Sequence, residues 1–109
     1  MKKYDANIAT IISPLAYISK HANIGRGTIV MHHALVNSGV KIGENCIINS
    51  KSLIEHDATV GDNCHVSTAV VINGGVVVGA GSFIGSNSVI VQGAQIKEAS
   101  FVRCGCVVD

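Results

Sequence analysis

The sequence has 109 residues and a net charge of +1, with eight Lys and Arg against seven Asp and Glu. A chain of this length is expected to form one domain, and its charge balance argues against electrostatic nucleic-acid binding, which needs a basic patch. No apolar run is long enough to span a membrane, and none follows the first residues as in a signal peptide, so we expect a cytoplasmic protein.

β-Branched residues dominate the apolar part of the sequence, which holds 14 Ile and 15 Val against 3 Leu. Such residues favour strands over helices. Gly occurs 12 times and Pro once, and aromatic residues make up 4% of the chain, which is too little for a typical β-sandwich core. These features predict a β protein with a thin, uniform core of Ile and Val.

Aliphatic residues recur at a strict six-residue spacing from Ile12 to the end of the chain. All 17 positions of the series are Ile or Val, namely Ile12, Ile18, Ile24, Val30, Val36, Ile42, Ile48, Ile54, Val60, Val66, Ile72, Val78, Ile84, Ile90, Ile96, Val102 and Val108. Two residues before each of them the side chain is short, as at Ala16, Thr28 and Ser52. Alternation of this kind places both residues on one face of a short strand.

Each six-residue unit is predicted to be one strand followed by one corner. The three residues between successive strands often include Gly or Asn, as in 43–45, 61–63 and 79–81, and these residues favour turns. Three units form a triangular coil of 18 residues, in which each strand returns above itself in parallel. The repeat provides a little under six coils, so residues 18 apart should lie in vertical register.

The pattern resembles the hexapeptide-repeat family of left-handed parallel β-helices, whose units combine an aliphatic residue with small residues at fixed positions. Handedness is implied by this resemblance alone, since the general preference of parallel crossovers is right-handed. We therefore expect an all-β, left-handed parallel β-helix over residues 12–109. Residues 1–11 are expected to form an N-terminal lead-in or cap.

The outward-facing residues form three vertical rows, one on each side of the predicted prism. Two rows are largely apolar and the third is mostly polar. The first contains Ile11, Ile29, Ile47, His65, Phe83 and Phe101, the second Tyr17, Leu35, Leu53, Val71, Val89 and Val107, and the third Asp5, Asn23, Lys41, Thr59, Val77 and Gln95. Because long exposed apolar strips usually mark an interface, we expect a closed cyclic homotrimer in which unlike sides meet. The family resemblance implies the same assembly.

His56 is the candidate for catalysis that the residues themselves favour most. It occupies a predicted corner, and Asp57 follows it directly; a carboxylate can orient a neutral imidazole and support its action as a general base. Gly74 lies 18 residues later, at the same corner one coil away, where a backbone N–H could stabilise an oxyanion. The alternative is an ordinary surface histidine in a turn.

Residues 49–74 resemble the acetyltransferase domain of the bacterial sugar O- and N-acetyltransferases of the sialic-acid and bacillosamine type. The motif of that family contains Asn, His, an acidic residue, a second His and Gly, and it matches Asn49, His56, Asp57, His65 and Gly74 at every spacing. The resemblance implies that His56 is the base and that Asp57 polarises it. It also implies that the Gly74 amide holds the thioester oxygen.

The same resemblance implies acetyl-CoA as the acyl donor and supplies further contacts. His65 would contact acetyl-CoA, Asn49 would lie near the acceptor amine or hydroxyl, and Ser86 and Cys104, which share one corner, would make further coenzyme A contacts. Our leading hypothesis is therefore an acetyl-CoA-dependent acyltransferase that acts on a small, sugar-like acceptor, with no metal involved.

His65 should meet His56 only across a subunit boundary, because it lies on an apolar side away from the His56 corner. If the two apolar sides meet, the mouth of the cleft is formed by the His56 corner and the corner after Val60. If the His65 side meets the polar side, the mouth includes the corner of Ser86 and Cys104. The polarity of the sides favours the first packing, and the implied cofactor contacts favour the second.

The sequence also departs from those relatives. They carry an N-terminal nucleotide-sugar-binding domain, which residues 1–11 are too few to form, and this weakens the expectation of a UDP-sugar acceptor. Residues 103–106, Arg-Cys-Gly-Cys, stand where the relatives have small residues, which bears on the fit of the cofactor. No helical pattern follows the last unit, so we expect an open strand edge there, to which another protein could bind.

The four Cys form no C-x-x-C or other zinc motif, and we expect reduced thiols. Cys46 and Cys64 are 18 apart and both should face inward, at a spacing that suits a disulfide, but two packed free thiols are favoured.

The main alternative to an enzyme is a non-catalytic trimeric β-helix that acts as a scaffold or partner-binding module. A zinc hydratase of the carbonic anhydrase type is disfavoured, because the sequence has no His-x4-His pair.

Overall fold

The computed structural model describes residues 9–109, which form a stack of triangular coils. Residues 1–8, which include Asp5 of the third row and most of the expected lead-in, lie outside the described residues. The coils contain 17 strands of two residues each. In chain order these are β1 (Ile11–Ile12), β2 (Tyr17–Ile18), β3 (Asn23–Ile24), β4 (Ile29–Val30), β5 (Leu35–Val36), β6 (Lys41–Ile42), β7 (Ile47–Ile48), β8 (Leu53–Ile54), β9 (Thr59–Val60), β10 (His65–Val66), β11 (Val71–Ile72), β12 (Val77–Val78), β13 (Phe83–Ile84), β14 (Val89–Ile90), β15 (Gln95–Ile96), β16 (Phe101–Val102) and β17 (Val107–Val108).

The strands pair in parallel into three sheets, which are the three faces of the prism. Face A contains β1, β4, β7, β10, β13 and β16, face B contains β2, β5, β8, β11, β14 and β17, and face C contains β3, β6, β9, β12 and β15. Paired residues are 18 apart, as in the pairing of His65 with Ile47 and Phe83. The predicted all-β, left-handed parallel β-helix is confirmed. We name the corners AB, BC and CA after the faces that they connect in chain order.

The second residue of each strand points into the prism and forms the core. Ile48, Ile54 and Ile72 are fully buried in the middle coils, whereas Val102 near the C-terminal end is 8% exposed and Ile12 in the first coil is 42% exposed. The core is thus one continuous column of β-branched side chains. Its burial is complete in the middle of the molecule and decreases toward both ends.

The short side chains two residues before each core position also face inward, and many of them bond the backbone. The Thr28 hydroxyl donates to the Gly43 carbonyl at 2.8 Å, and the Ser52 hydroxyl donates to the Ser67 carbonyl at 2.9 Å. Within residues 9–109, no buried side-chain nitrogen or oxygen lacks a hydrogen-bond partner. A side chain with a short hydroxyl at this position therefore fits the narrow interior and also donates to a backbone carbonyl at the same corner of the next coil.

Cys46 and Cys64 occupy the same inward position in consecutive coils, and both are buried free thiols. Their sulfur atoms lie 3.1 Å and 3.2 Å from the carbonyl oxygens of Gly61 and Gly79, to which they donate. The neighbouring Cys46 thiol, together with burial, raises the pKa of the Cys64 thiol. Cys64 is therefore neutral at physiological pH.

The third residue of most corners adopts a left-handed backbone conformation, which allows the chain to turn sharply. Gly provides this conformation at six corners, for example at Gly39 and Gly93, where φ is 76°. Non-glycine residues adopt it at eight others, namely His33, Asn45, Lys51, Asp57, Asn63, Ala69, Asn87 and Ala99. The corner geometry therefore accepts ordinary side chains.

No helix in the described part of the chain is long and apolar enough to cross a membrane.

Candidate active site

His56 and Asp57 lie at corner BC, between β8 and β9. Asp57 takes the left-handed conformation with φ of 63°, and its carboxylate lies beside the preceding imidazole. The distance from His56 Nδ1 to Asp57 Oδ2 is 3.3 Å. Both side chains are largely exposed, at 60% for His56 and 73% for Asp57. The pair is thus open to a ligand, with one imidazole nitrogen directed to the carboxylate.

Gly74 lies in direct contact with the His56 ring, one coil further along the chain. A Cβ placed on Gly74 would be 2.8 Å from both Cε1 and Nε2 of His56, closer than atoms can approach. The neighbouring Gly75 N–H donates to the His56 carbonyl at 3.1 Å, whereas the Gly74 N–H donates to no acceptor within residues 9–109. The structure therefore brings an exposed imidazole and an unpaired backbone N–H together at one corner.

Asn49 and His65 form a second group at corner AB and the adjoining part of face A. Asn49 Nδ2 lies 3.4 Å from His65 Nε2, and Asn49 Oδ1 accepts the Ser50 N–H at 2.7 Å. The other side of the His65 ring packs edge-to-face on Phe83, with centroids 5.2 Å apart, and Phe83 stacks on Phe101 at 5.1 Å. His65 is therefore held between an amide and an aromatic column.

Ser86 and Cys104 lie at the same corner AB, further along the coil axis. The Gly105 N–H donates to the Ser86 carbonyl at 2.8 Å, which joins the two successive corners. The Ser86 and Ser67 hydroxyls are 2.8 Å apart and hydrogen-bonded, while Cys104 is an exposed free thiol. The candidate residues therefore form two groups, one at each edge of face B, and a single chain does not join them.

Sequence reasoning missed several polar residues near these groups. Asn37 donates to Glu55 Oε1 at 3.0 Å at corner BC, and Asn73 donates to the Ile90 carbonyl at 2.9 Å at the same corner. Asn37, Glu55 and Asn73 are successive members of one 18-residue row, so the register could have identified them. The Ser67 and Ser86 contact is 19 residues apart and is less readily inferred.

A concave surface of the described chain lies away from these residues. A shallow groove of about 460 Å³ follows face C and corner CA, and its lining includes Lys41, Thr59, Asp62 and Glu98. None of the candidate residues lines it. Among residues 9–109, no three His, Cys, Asp or Glu side chains are arranged to hold a metal ion.

Comparisons with known proteins agree with the fold. The sequence model of the family described as "Bacterial transferase hexapeptide (six repeats)" matches residues 21–56, 39–74 and 57–92. A search of curated proteins finds no match.

Several solved structures are similar over nearly the whole chain. The acetyltransferase domain of PglB from Neisseria gonorrhoeae FA1090 gives a TM-score of 0.95 at 26% identity, covering 96% of this chain and 51% of that chain. The same domain in complex with acetyl coenzyme A gives 0.92 at 25% identity, covering 95% and 53%. A mutant of perosamine N-acetyltransferase from Caulobacter crescentus, in complex with CoA and GDP-perosamine, gives 0.93 at 31% identity, covering 94% and 49%. The chain thus spans about half the length of these three solved structures.

Proposed function

Because the chain belongs to the bacterial transferase hexapeptide family, we propose that it transfers the acetyl group of acetyl-CoA to an amine or hydroxyl of a small, sugar-like acceptor. Two similar structures support this choice of substrates. One is an acetyltransferase domain in complex with acetyl coenzyme A, and the other is an N-acetyltransferase in complex with CoA and a nucleotide-linked sugar. The proposed general base and oxyanion donor are residues of this chain.

The observation that carries the proposal is the contact of His56 with Gly74 beside Asp57. With its Nδ1 proton donated to the Asp57 carboxylate, the imidazole has a free Nε2 lone pair, which removes the proton of the acceptor amine or hydroxyl. The acceptor then bonds to the thioester carbonyl carbon, and the Gly74 N–H donates to the oxygen that becomes negative. As that intermediate collapses, the carbon–sulfur bond breaks and His56 returns its proton to the departing thiolate.

We further propose that the site is completed by a neighbouring subunit in a homotrimer. In the packing that we favour, face C of one subunit meets face A of the next, and the three CA corners lie at the threefold axis. This packing places the His56 corner of one subunit beside corner AB of its neighbour, which carries Asn49, His65, Ser86 and Cys104. Packing of face A on face B would place corner AB at the axis, remote from His56.

In this arrangement the neighbour's residues bind the substrates and do not take part in proton transfer. His65 and Asn49 would face the acetyl group and the acceptor, respectively. Ser86 and Cys104, which lie along the same corner, would contact the coenzyme A part of the donor.

The test measures acetyl transfer from acetyl-CoA to a panel of amino sugars and nucleotide-linked amino sugars, and the reaction is monitored through the CoA thiol that is released. His56→Ala should lower the rate by about 10²–10⁴-fold, the usual contribution of a general base. His21→Ala is the control, because His21 is an exposed histidine at the same corner in an earlier coil. Unchanged turnover in His56→Ala contradicts the assignment of the base.

Binding of CoA alone distinguishes an enzyme from a scaffold. Millimolar CoA should raise the thermal unfolding temperature of the wild-type protein, because a ligand that binds only the native state stabilises it. No stabilisation by CoA, together with no transfer to any acceptor, would indicate the non-catalytic scaffold instead.

A further inference from the structure

Gly39 lies directly beside Asp57, one coil earlier at corner BC. The two residues are 18 apart and occupy the same third position of the corner. A Cβ built on Gly39 would overlap Asp57 Oδ1 and would lie 3.1 Å from Asp57 Cγ. The Asp57 carboxylate therefore occupies the space that a side chain at position 39 would take.

The backbone conformation does not by itself require glycine at this position. Gly39 has φ of 76°, but eight non-glycine residues of this chain, among them Ala69 and Ala99, adopt the same left-handed conformation at equivalent corners. Gly93 has the same φ of 76°, and a Cβ built there meets nothing within 4 Å. Gly75, which has a following coil beside it as Gly39 does, likewise meets nothing within 4 Å, so the Asp57 carboxylate is what fills the space beside Gly39.

We propose that Gly39 is a positioning residue for the catalytic pair. The missing side chain lets the Asp57 carboxylate lie against the backbone of the preceding coil, from where Oδ2 reaches His56 Nδ1 at 3.3 Å. This contact keeps the proton on Nδ1 and leaves Nε2 free to act as the base. The inference rests on the proposed function for its catalytic consequence, although the geometry itself does not.

The Gly39→Ala substitution is expected to move the carboxylate and to leave the coil intact. The atom that the new methyl would meet is at the end of a flexible and mostly exposed side chain, so it can rotate away at little cost. The backbone of Asp57 stays bound through its N–H, which donates to the Ser38 carbonyl at 3.0 Å. His56 should then lose its partner at Nδ1 while the fold is retained.

The first measurement is the ¹⁵N spectrum of the His56 ring, recorded at a pH where imidazoles are neutral, with His56→Gln used for assignment. Wild type and Gly93→Ala should show mainly the Nδ1–H tautomer. Gly39→Ala should show the same mixed tautomers as Asp57→Ala. This readout requires neither acetyl-CoA nor acceptor, so it separates a failure of this inference from a failure of the proposed function.

The second measurement is a kinetic double-mutant cycle. Gly39→Ala should lower kcat to the level of Asp57→Ala without changing KM for acetyl-CoA, and the double variant should be no slower than Asp57→Ala. Three results would overturn the inference: a wild-type tautomer in Gly39→Ala, additive losses in the double variant, or unfolding of Gly39→Ala while Gly93→Ala folds. If the tautomer changes as expected but no acetyl transfer is found in wild type, the positioning role stands and the proposed function falls.

Discussion

At corner BC, the absence of a side chain at Gly74 has a different consequence from that at Gly39. Gly74 does not have a left-handed φ, so its backbone would accept any residue. Its neighbour is the ring of His56, which lies so close that a Cβ would be 2.8 Å from Nε2. Glycine fits here because the imidazole occupies the space that a side chain at position 74 would take.

Gly74→Ala is predicted to inactivate the protein without unfolding it. The methyl group pushes the exposed imidazole outward and covers the N–H, so acetyl transfer should fall by about 10²-fold or more. Thermal unfolding followed by circular dichroism should remain close to that of wild type. Gly75→Ala is the comparison, since a Cβ at Gly75 meets nothing within 4 Å, and equal rates in the two variants would argue against the role of Gly74.

For individual residues, the sequence predicts the contacts between residues 18 apart, but it does not predict contacts at other separations. The contact of His56 with Gly74 follows from the register, because an uninterrupted six-residue repeat fixes which residues lie above one another. Asn49 and His65 are 16 residues apart, and their contact depends on side-chain length and rotamer as well as on register. Side chains that lean along the coil axis are therefore placed only by the structure.

Among the elements, the corners restrict the sequence more than the strands do. The strands have two residues each, and their outward positions accept Ile, Tyr, Lys, His, Phe and Gln alike. At corner CA the first residue is Gly in four successive coils, at Gly25, Gly43, Gly61 and Gly79. A Cβ at Gly79 would lie 2.7 Å from Glu98 Cα and 2.8 Å from the Lys97 carbonyl carbon. Here the obstacle is the backbone of the next coil.

Gly79→Ala is accordingly predicted to destabilise the fold, in contrast to substitutions beside flexible side chains. Because backbone atoms cannot move aside separately, we expect a loss of about 1–3 kcal/mol in the free energy of unfolding, as for other overpacked sites. Urea denaturation measures this loss, and Gly93→Ala, whose Cβ meets no atom within 4 Å but whose φ of 76° is unfavourable for alanine, should show a smaller loss. A midpoint for Gly79→Ala equal to that of Gly93→Ala would contradict the close stacking of the coils.

The hexapeptide pattern determines the elements almost completely. Seventeen aliphatic positions without an insertion predicted seventeen strands, and the structure has them at those positions. The pattern does not contain the hand of the coil, because the same alternation of inward and outward residues is compatible with either hand. The hand was predicted from family resemblance and not from the residues, and the division at residues 11 and 12 stays a prediction.

For the whole molecule, the two packings of the proposed trimer bury different faces and therefore predict different effects of substitutions on faces B and C. The outward Val77 of face C is 41% exposed, and the outward Val71 of face B lies in the preceding strand. If faces A and C meet, Val77→Glu should produce monomers, because an unpaired charge would be buried at the interface. Val71→Glu should stay trimeric.

Sedimentation velocity distinguishes trimers from monomers and so decides between the two packings. Trimers for Val71→Glu and monomers for Val77→Glu support the packing of face A on face C, and the reverse result supports the packing of face A on face B. The apolar character of face B, where Tyr17 and Val107 are 60% and 71% exposed, makes this comparison necessary. The sequence could not decide between the packings, because polarity and the implied cofactor contacts favour different ones.

A shared site also predicts complementation between inactive chains. Co-expression of His56→Ala and His65→Ala chains should give mixed trimers in which about one third of the sites join an intact His56 to a neighbour's intact His65. Activity of the mixed sample, assayed after tandem affinity purification, should therefore exceed that of either parent. If the mixture is no more active than its parents, His56 and His65 do not act across a subunit boundary.

Every strand in residues 9–109 bonds only to the strands 18 residues before and after it, so this part of the molecule behaves as a linear array of coils. Opening is expected to start where the core is least covered, at Ile12 and Val108, and to proceed from both ends toward the middle coils. Amide hydrogen exchange should thus be slowest around β7–β12, the coils that carry His56 and Gly74. The corner that we propose to be catalytic thus lies where partial unfolding reaches last, and the protein can lose order at its ends while His56 and Gly74 keep their geometry.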